Sequence, residues 1–140
     1  MSDITLTAAQ VSAIYPDLAE IYQHDAGVTI TRGQALYKTS AGLLGVADAN
    51  DSGKQQFRGL ALNGGGAGQG IDLLKKGHVY GFDLSGLNID APVYLSDTAG
   101  AFGTAAGTMS VQVGRVDAIN VSGTKTKVLY IEADWLRTWS

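Results

Sequence analysis

Short apolar runs separated by glycine-rich turns fill the chain, and where the runs alternate with polar residues they predict strands rather than helices. Val28, Ile30, Ala35 and Tyr37 alternate with polar neighbours around Arg32-Gly33, which predicts two strands joined by a turn. Ser40-Ala41-Gly42 then turns into a strand over 43–47. The polar stretch 48–56 (DANDSGKQQ) predicts a surface loop, followed by a strand over 57–62 (FRGLAL). NGGGAGQG holds five glycines in eight residues and predicts a mobile surface loop. Two further strands, 71–75 and 77–82, meet at Lys76-Gly77. Residues 87–95 repeat the strand-turn-strand rhythm, with Asp90-Ala91-Pro92 in place of Arg32-Gly33-Gln34, and 128–133 supply a last strand. Residues 18–24 suit a helical face or an edge strand, and a strand is the reading adopted.

The two ends differ from this pattern. Thr7 followed by Gln10 reads as a capping box, and Leu6 and Val11 can pack as a hydrophobic staple, which predicts a short helix that Pro16 ends. Ahead of it, Ser2 to Leu6 form an arm of alternating polarity with no partner in its own segment, suited to pairing with another chain. At the other end Trp135 and Trp139 stand four residues apart, which on a helical turn places both rings on one face. The chain thus divides into an arm and short helix over 1–17 and a β domain with a C-terminal tail over 18–140.

Setting Gly42 on Gly100 aligns Ala35-Leu36-Tyr37 with Val93-Tyr94-Leu95, and Arg58-Gly59-Leu60-Ala61 then matches Val113-Gly114-Arg115-Val116 as a gapped internal repeat. Two similar hairpin sets fit a closed or nearly closed small β-barrel, which also removes the unpaired edges of an isolated sheet.

Composition narrows the function. The 140 residues suffice for one core. Without cysteine there is no disulfide framework, thiolate metal site or cysteine nucleophile. Ten basic residues against thirteen acidic ones, with no basic run longer than Lys75-Lys76, argue against nucleic acid as a partner. No apolar run is long enough to span a bilayer, and the N-terminus lacks a secretory signal, so the expectation is a protein made in the cytoplasm with no membrane partner.

Candidate chemistry is thin. Asp48, Asn50, Ser52 and Gly53 match the opening of a calcium loop, but position 12 is Gly59 where a bidentate carboxylate belongs. GGGAGQG is not followed by the Lys-Ser/Thr pair of a phosphate loop. His24 and His78 stand apart, each in a strand and without a triad spacing, and read as structural. The turns Ser40-Ala41-Gly42 and Thr98-Ala99-Gly100 share the hairpin geometry of biotinyl and lipoyl carrier domains but carry no lysine at the tip. The terminal tryptophans suit packing better than sugar stacking. The expectation is a non-enzyme with no catalytic residues, no cofactor and no metal.

AGVTITRGQALYKTSAGLLGVADAND, FRGLALNGGGAGQGIDLL, GHVYGF, APVYLSDTAG and SVQVGRV, taken in order over about residues 25 to 132, resemble the pattern of tailed-phage head-decoration, or cement, proteins. The resemblance implies a β-tulip-like barrel and a virion protein on the outer capsid surface. It further implies a homotrimer bound to the major capsid protein at three-fold and quasi-three-fold positions, with the N-terminal arm adding a strand to a capsid sheet. On that basis Ile4, Thr5 and Leu6 are the expected capsid-binding arm, and Trp135, Leu136 and Trp139 a subunit contact. Deleting residues 2–6 would then abolish capsid binding and leave the barrel folded. The competing expectation is a receptor- or glycan-binding module of a phage tail or baseplate.

Overall fold

The computed structural model describes residues 3–139, so Ser2 of the arm lies outside the described residues. The strands are β1 (Ser12–Ala13), β2 (Glu20–Asp25), β3 (Ala35–Lys38), β4 (Leu44–Val46), β5 (Phe57–Ala61), β6 (Gly70–Tyr80), β7 (Pro92–Leu95), β8 (Phe102–Gly103), β9 (Gln112–Val121) and β10 (Thr124–Glu132). They form one curled antiparallel sheet in the order β4-β3-β5-β6-β10-β9-β7-β8, with β1 and β2 also on β6. The chain is mainly β and barrel-like, as expected. The sheet curls because one face is continuously apolar: Phe57, Leu60, Leu74, Val93, Phe102, Val113, Leu129 and Ile131 are all buried in one cluster. Its far ends are tied together, since the Gly100 amide donates to the Ala47 carbonyl (2.7 Å), the Ala35 amide to Gly100 (2.9 Å) and the Ala49 amide to Ser96 (3.1 Å).

The two halves of the sheet are related by a pseudo-two-fold axis through the Lys76–Glu132 pair of β6 and β10. Ile131 pairs with Gly77 on one side of that pair, and the Ala133 amide donates to Lys75 on the other. Outward from the axis, Leu60 and Ala61 of β5 face Leu74 and Leu73, while Arg115 and Val116 of β9 face Tyr130 and Leu129. β3 on β5 breaks register between Leu36 and Tyr37, and β7 on β9 breaks it between Val93 and Tyr94, so the same bulge occurs twice. The turns match as well. Gly33 and Asp90 both have positive φ (93° and 70°), and their amides donate to the Ala61 and Val116 carbonyls (2.8 and 2.6 Å). The repeat read from the sequence is therefore present, with one correction. The ladders set Leu36 on Val93 and Tyr37 on Tyr94, one residue from the sequence alignment, because the path from β7 to Gly100 is one residue longer than that from β3 to Gly42.

Several expected elements differ. The N-terminal helix is one 3-10 turn, Ala8–Gln10, and Thr7 makes no side-chain cap; Pro16 begins a second 3-10 turn, Pro16–Leu18, where its fixed φ suits the first position. Residues 28–30 and 87–89 are not strands: Ile30 makes only an isolated bridge to Gly65, and 87–89 run through turns into β7. The expected strands 71–75 and 77–82 are one continuous strand, β6, bent at Gly77 (φ 154°), where a Cβ would press on Ala19 at 3.0 Å. The glycine loop is held at both sides. Gly65 exchanges two backbone hydrogen bonds with Ile30 (2.8 and 2.9 Å), and the Asn63 side chain bridges Gly70 and Asp72. The hairpin joining β9 to β10 turns at Ser122-Gly123, both at positive φ, which is the two-residue geometry that matches strand twist.

At Gly59 and Gly114, the paired bulge positions, a Cβ would overlap the Leu74 and Tyr130 carbonyls. Gly53 also has positive φ but faces open space. Gly114→Ala should cost about 2 kcal/mol or more, as overpacking into backbone does, and Gly53→Ala about 1 kcal/mol from φ alone. Denaturant midpoints of the two variants check this ordering.

Candidate functional site

The expected capsid-binding arm is seated on its own barrel. The Ile4 amide donates to the Phe102 carbonyl (2.8 Å), the Asp83 amide to Thr5 (2.8 Å) and the Thr7 amide to Gly81 (2.8 Å). Asp3 accepts a short hydrogen bond from the hydroxyl of Ser96, which is fully buried. Ile4 is only 6% exposed and belongs to the main cluster, whereas Thr5 points outward and Leu6 is half-buried, converging with Val11 over Gly33. The arm is thus not a partnerless strand. Alternation within it does what alternation does in any edge strand, placing Ile4 inside and Thr5 outside. Removing residues 2–6 would uncover Phe102, so the barrel would not be left as it was.

The tail is a bend rather than a helical turn, so the two tryptophans do not share a face. Asp134 Oδ1 accepts the amides of Leu136 and Arg137 (both 3.2 Å), which reverses the chain. Trp135 donates from Nε1 to the Arg58 carbonyl (2.8 Å), meets the Tyr22 ring at 5.0 Å and lies under the Lys75 ammonium at 4.7 Å. Trp139 is clipped by Gln55, which donates to its carbonyl (2.9 Å), and by Gln56, which accepts from its amide (2.5 Å). Leu136, between them, is 97% exposed.

Exposed apolar side chains that sequence reading missed stand on β2, on β6 and in the turn between β1 and β2. Tyr15, Leu18, Ile21, Tyr22 and Tyr80 all remain exposed, Leu18 at 80%. Tyr15, Leu18, Gly77, His78 and Tyr130 line a groove of about 290 Å³ there. Its signal lay in the unresolved reading of residues 18–24: apolar residues fell on both faces because β2 is an outer strand with little of its surface covered. His78 Nε2 stands 2.7 Å from Asp117 Oδ2, and its ring packs edge-on against Tyr15 and at a tilt on Tyr130. The Tyr130 hydroxyl donates to Glu132 (2.6 Å), and burial, then this hydrogen bond, pushes its pKa up to about 12. A phenol so held is a weak proton donor.

In the loop that opens like a calcium site, Asp48 Oδ1 accepts the Asn50 amide (2.9 Å), Asp51 pairs with Lys54 (3.3 Å) and Asn50 accepts from Thr108 (3.2 Å). Among the described residues no cluster of three metal-ligating side chains occurs. His24 lies half-buried on β2, its Nδ1 without a hydrogen-bond partner among the described residues.

Two measurements test these placements. Ile4→Ala should lower stability by about 2–3 kcal/mol, the cost of truncating a buried aliphatic; an unchanged melting temperature would show the arm is not seated in solution. The His78 hydrogen bond, then that of the Ala118 amide, holds the Asp117 carboxyl below its ordinary 3.8. A depressed carboxylate stabilises the fold above its unfolded value, and that contribution disappears as pH falls through the folded value. Asp117→Asn should therefore be less stable than the parent at neutral pH, by no more than about 1 kcal/mol for so exposed a pair, and indistinguishable from it once pH is well below 3.8, as thermal melts across pH will show.

Comparison with protein-family models, with curated proteins and with solved structures finds no match for this chain.

Proposed function

We propose that this chain is a structural protein of a tailed-phage virion, bound as a trimer to the major capsid protein at three-fold and quasi-three-fold positions on the outer surface of the head. The observation that carries the reading is where the resembling motifs fall. FRGLAL and SVQVGRV contain the paired bulge glycines Gly59 and Gly114, while TRGQALY contains the turn at Gly33 and APVYL follows its counterpart at Asp90. The resemblance thus rests on the conformationally demanding positions of the barrel rather than on common apolar residues. The groove beside the exposed Tyr15 and Leu18, and the projecting Leu136, supply apolar surface of the kind that partners cover.

Such a protein works without turnover. Binding only the expanded lattice stabilises it by mass action, and a trimer that touches several capsid subunits gains from effective concentration, so modest contacts suffice. The arm takes part in one of its two states: seated it completes the barrel, and to extend a capsid sheet it would first release Phe102 and Asp83.

Expanded heads lacking any decoration, incubated with the purified protein and imaged by electron microscopy, should show three-fold knobs, and the free protein should sediment at three times the chain mass or assemble to that mass on the head. Leu18→Asp and Leu136→Asp together should reduce occupancy at least tenfold while leaving the melting temperature within a few degrees. Density confined to the tail, or no binding to heads at all, rejects the reading.

A further inference from the structure

His24 on β2, Lys38 at the end of β3 and Arg58 on β5 converge on a cavity of about 110 Å³ whose remaining walls are Leu44, Leu73 and Trp135. Leu44 and Leu73 are fully buried, so the cavity reaches the second apolar cluster, that of Ile30, Leu36 and Ile71. Neither Lys38 nor Arg58 has an acidic partner within 4 Å among the described residues, although neighbouring Lys75 is paired with Glu20 at 3.5 Å. The Nδ1 atom of His24 is buried and has no hydrogen-bond partner among the described residues, an arrangement that is destabilising when nothing else satisfies it.

The pseudo-two-fold supplies an independent measure of how unusual this is. Lys38 pairs with Leu44 as Leu95 pairs with Phe102, and Arg58 occupies the bulge that Val113 occupies in the other half. Leu95 and Val113 are each 0% exposed. One half of the molecule fills these two positions with core side chains, and the other places there two cations without an acidic partner among the described residues, Lys38 exposed and Arg58 half-buried with its guanidinium 5.5 Å over the Trp135 ring. Cations beside an apolar cavity, where the other half has core side chains, are the donors that an anion from outside would use.

We propose that this cavity binds a carboxylate carried on a short apolar stem, its oxygens held by the Arg58 guanidinium, the Lys38 ammonium and His24 Nδ1, and its stem against Leu44, Leu73 and the Trp135 indole. The donor set suits two oxygens. A tetrahedral phosphate brings further oxygens to be satisfied, and the remaining walls offer two leucines and a Trp135 Nε1 already donated to the Arg58 carbonyl. The volume is that of three or four waters, at about 30 Å³ each, which limits the stem to a few carbons. A free short-chain acid and a glutamate side chain of a partner protein share this chemistry. The proposal stands whether or not the protein decorates capsids.

The site also carries a proton linkage. Burial, then the charges of Lys38 and Arg58, hold the His24 pKa below its ordinary 6.5 against the opposing charge of Asp25. A bound carboxylate offsets the two cations and raises it, so binding takes up a proton and tightens as pH falls toward the depressed value.

The test is a titration of the full chain with butyrate, with a blocked Ala-Glu-Ala peptide, with n-butanol and with inorganic phosphate, followed by the Trp135 indole and His24 imidazole resonances. Butyrate or the peptide should saturate both signals, whichever binds more tightly naming the source, with affinity rising at least threefold from pH 7.5 to pH 5.5 while the imidazole titration moves up. Butanol should produce no saturable shift. The double variant Lys38→Leu, Arg58→Val, which copies the other half of the molecule, should fold with equal or higher melting temperature and bind at least tenfold more weakly; Arg58→Gln provides a second, less invasive loss. No saturable shift with either carboxylate, phosphate binding as tightly as butyrate, or undiminished binding by the folded double variant overturns the proposal.

Discussion

Every strand in the molecule is placed, directly or through a neighbour, by the antiparallel pairing of β6 with β10. The two strands cross at Lys76 and Glu132, and from that pair each carries its own copy of the same three-strand unit: β5, β3 and β4 on β6, and β9, β7 and β8 on β10. The constraint is one of backbone geometry more than of side-chain chemistry. Gly59 and Gly114 lie where the outer strand comes so close to the inner one that a side chain has no room, and the bulge there gives each unit the curl that lets the sheet ends meet.

That duplication explains both what was legible in the sequence and what was not. The glycine-centred strands RGLA and VGRV could be matched directly, because the demand for glycine is local and leaves a mark in the sequence. The register of β3 against β7 could not, because a one-residue difference in turn length shifts an alignment while the hydrogen-bond ladder absorbs it beyond the strand end. Residues 28–30 and 87–89 alternate like strands and yet join no ladder beyond the single bridge of Ile30 to Gly65, since period-two alternation reports a half-buried extended chain and not the presence of a partner strand. Lys76-Gly77 reads as a break between strands for the converse reason: a glycine can bend a strand without ending it.

The candidate sites divide in the same way. The arm residues Ile4, Thr5 and Leu6 were legible as an extended segment of alternating polarity and were assigned to another chain, because the sequence carries no sign that Phe102 and Ser96, nearly a hundred residues later, form their seat. Trp135 was legible as a packing residue, whereas the cavity beside it was not, because Lys38 and Arg58 look like ordinary surface cations until the pseudo-two-fold places them against Leu95 and Val113. A long-range symmetry relation is needed to see that they stand where the other half of the molecule has core side chains.

The seat of the arm also bears on how the molecule can be made. Asp3 and Ile4 rest on Ser96 and Phe102, and β6, in mid-chain, pairs with β10, which ends at Glu132. Contacts of such sequence separation close late and slowly. A chain emerging from the ribosome would hold its first half as an incomplete sheet, with β6 lacking its partner along one edge, until the last strand is released. The protein therefore acquires its final surface in a single late step, and the exposed edge of β6 during synthesis is the place where two growing copies could exchange halves before either closes.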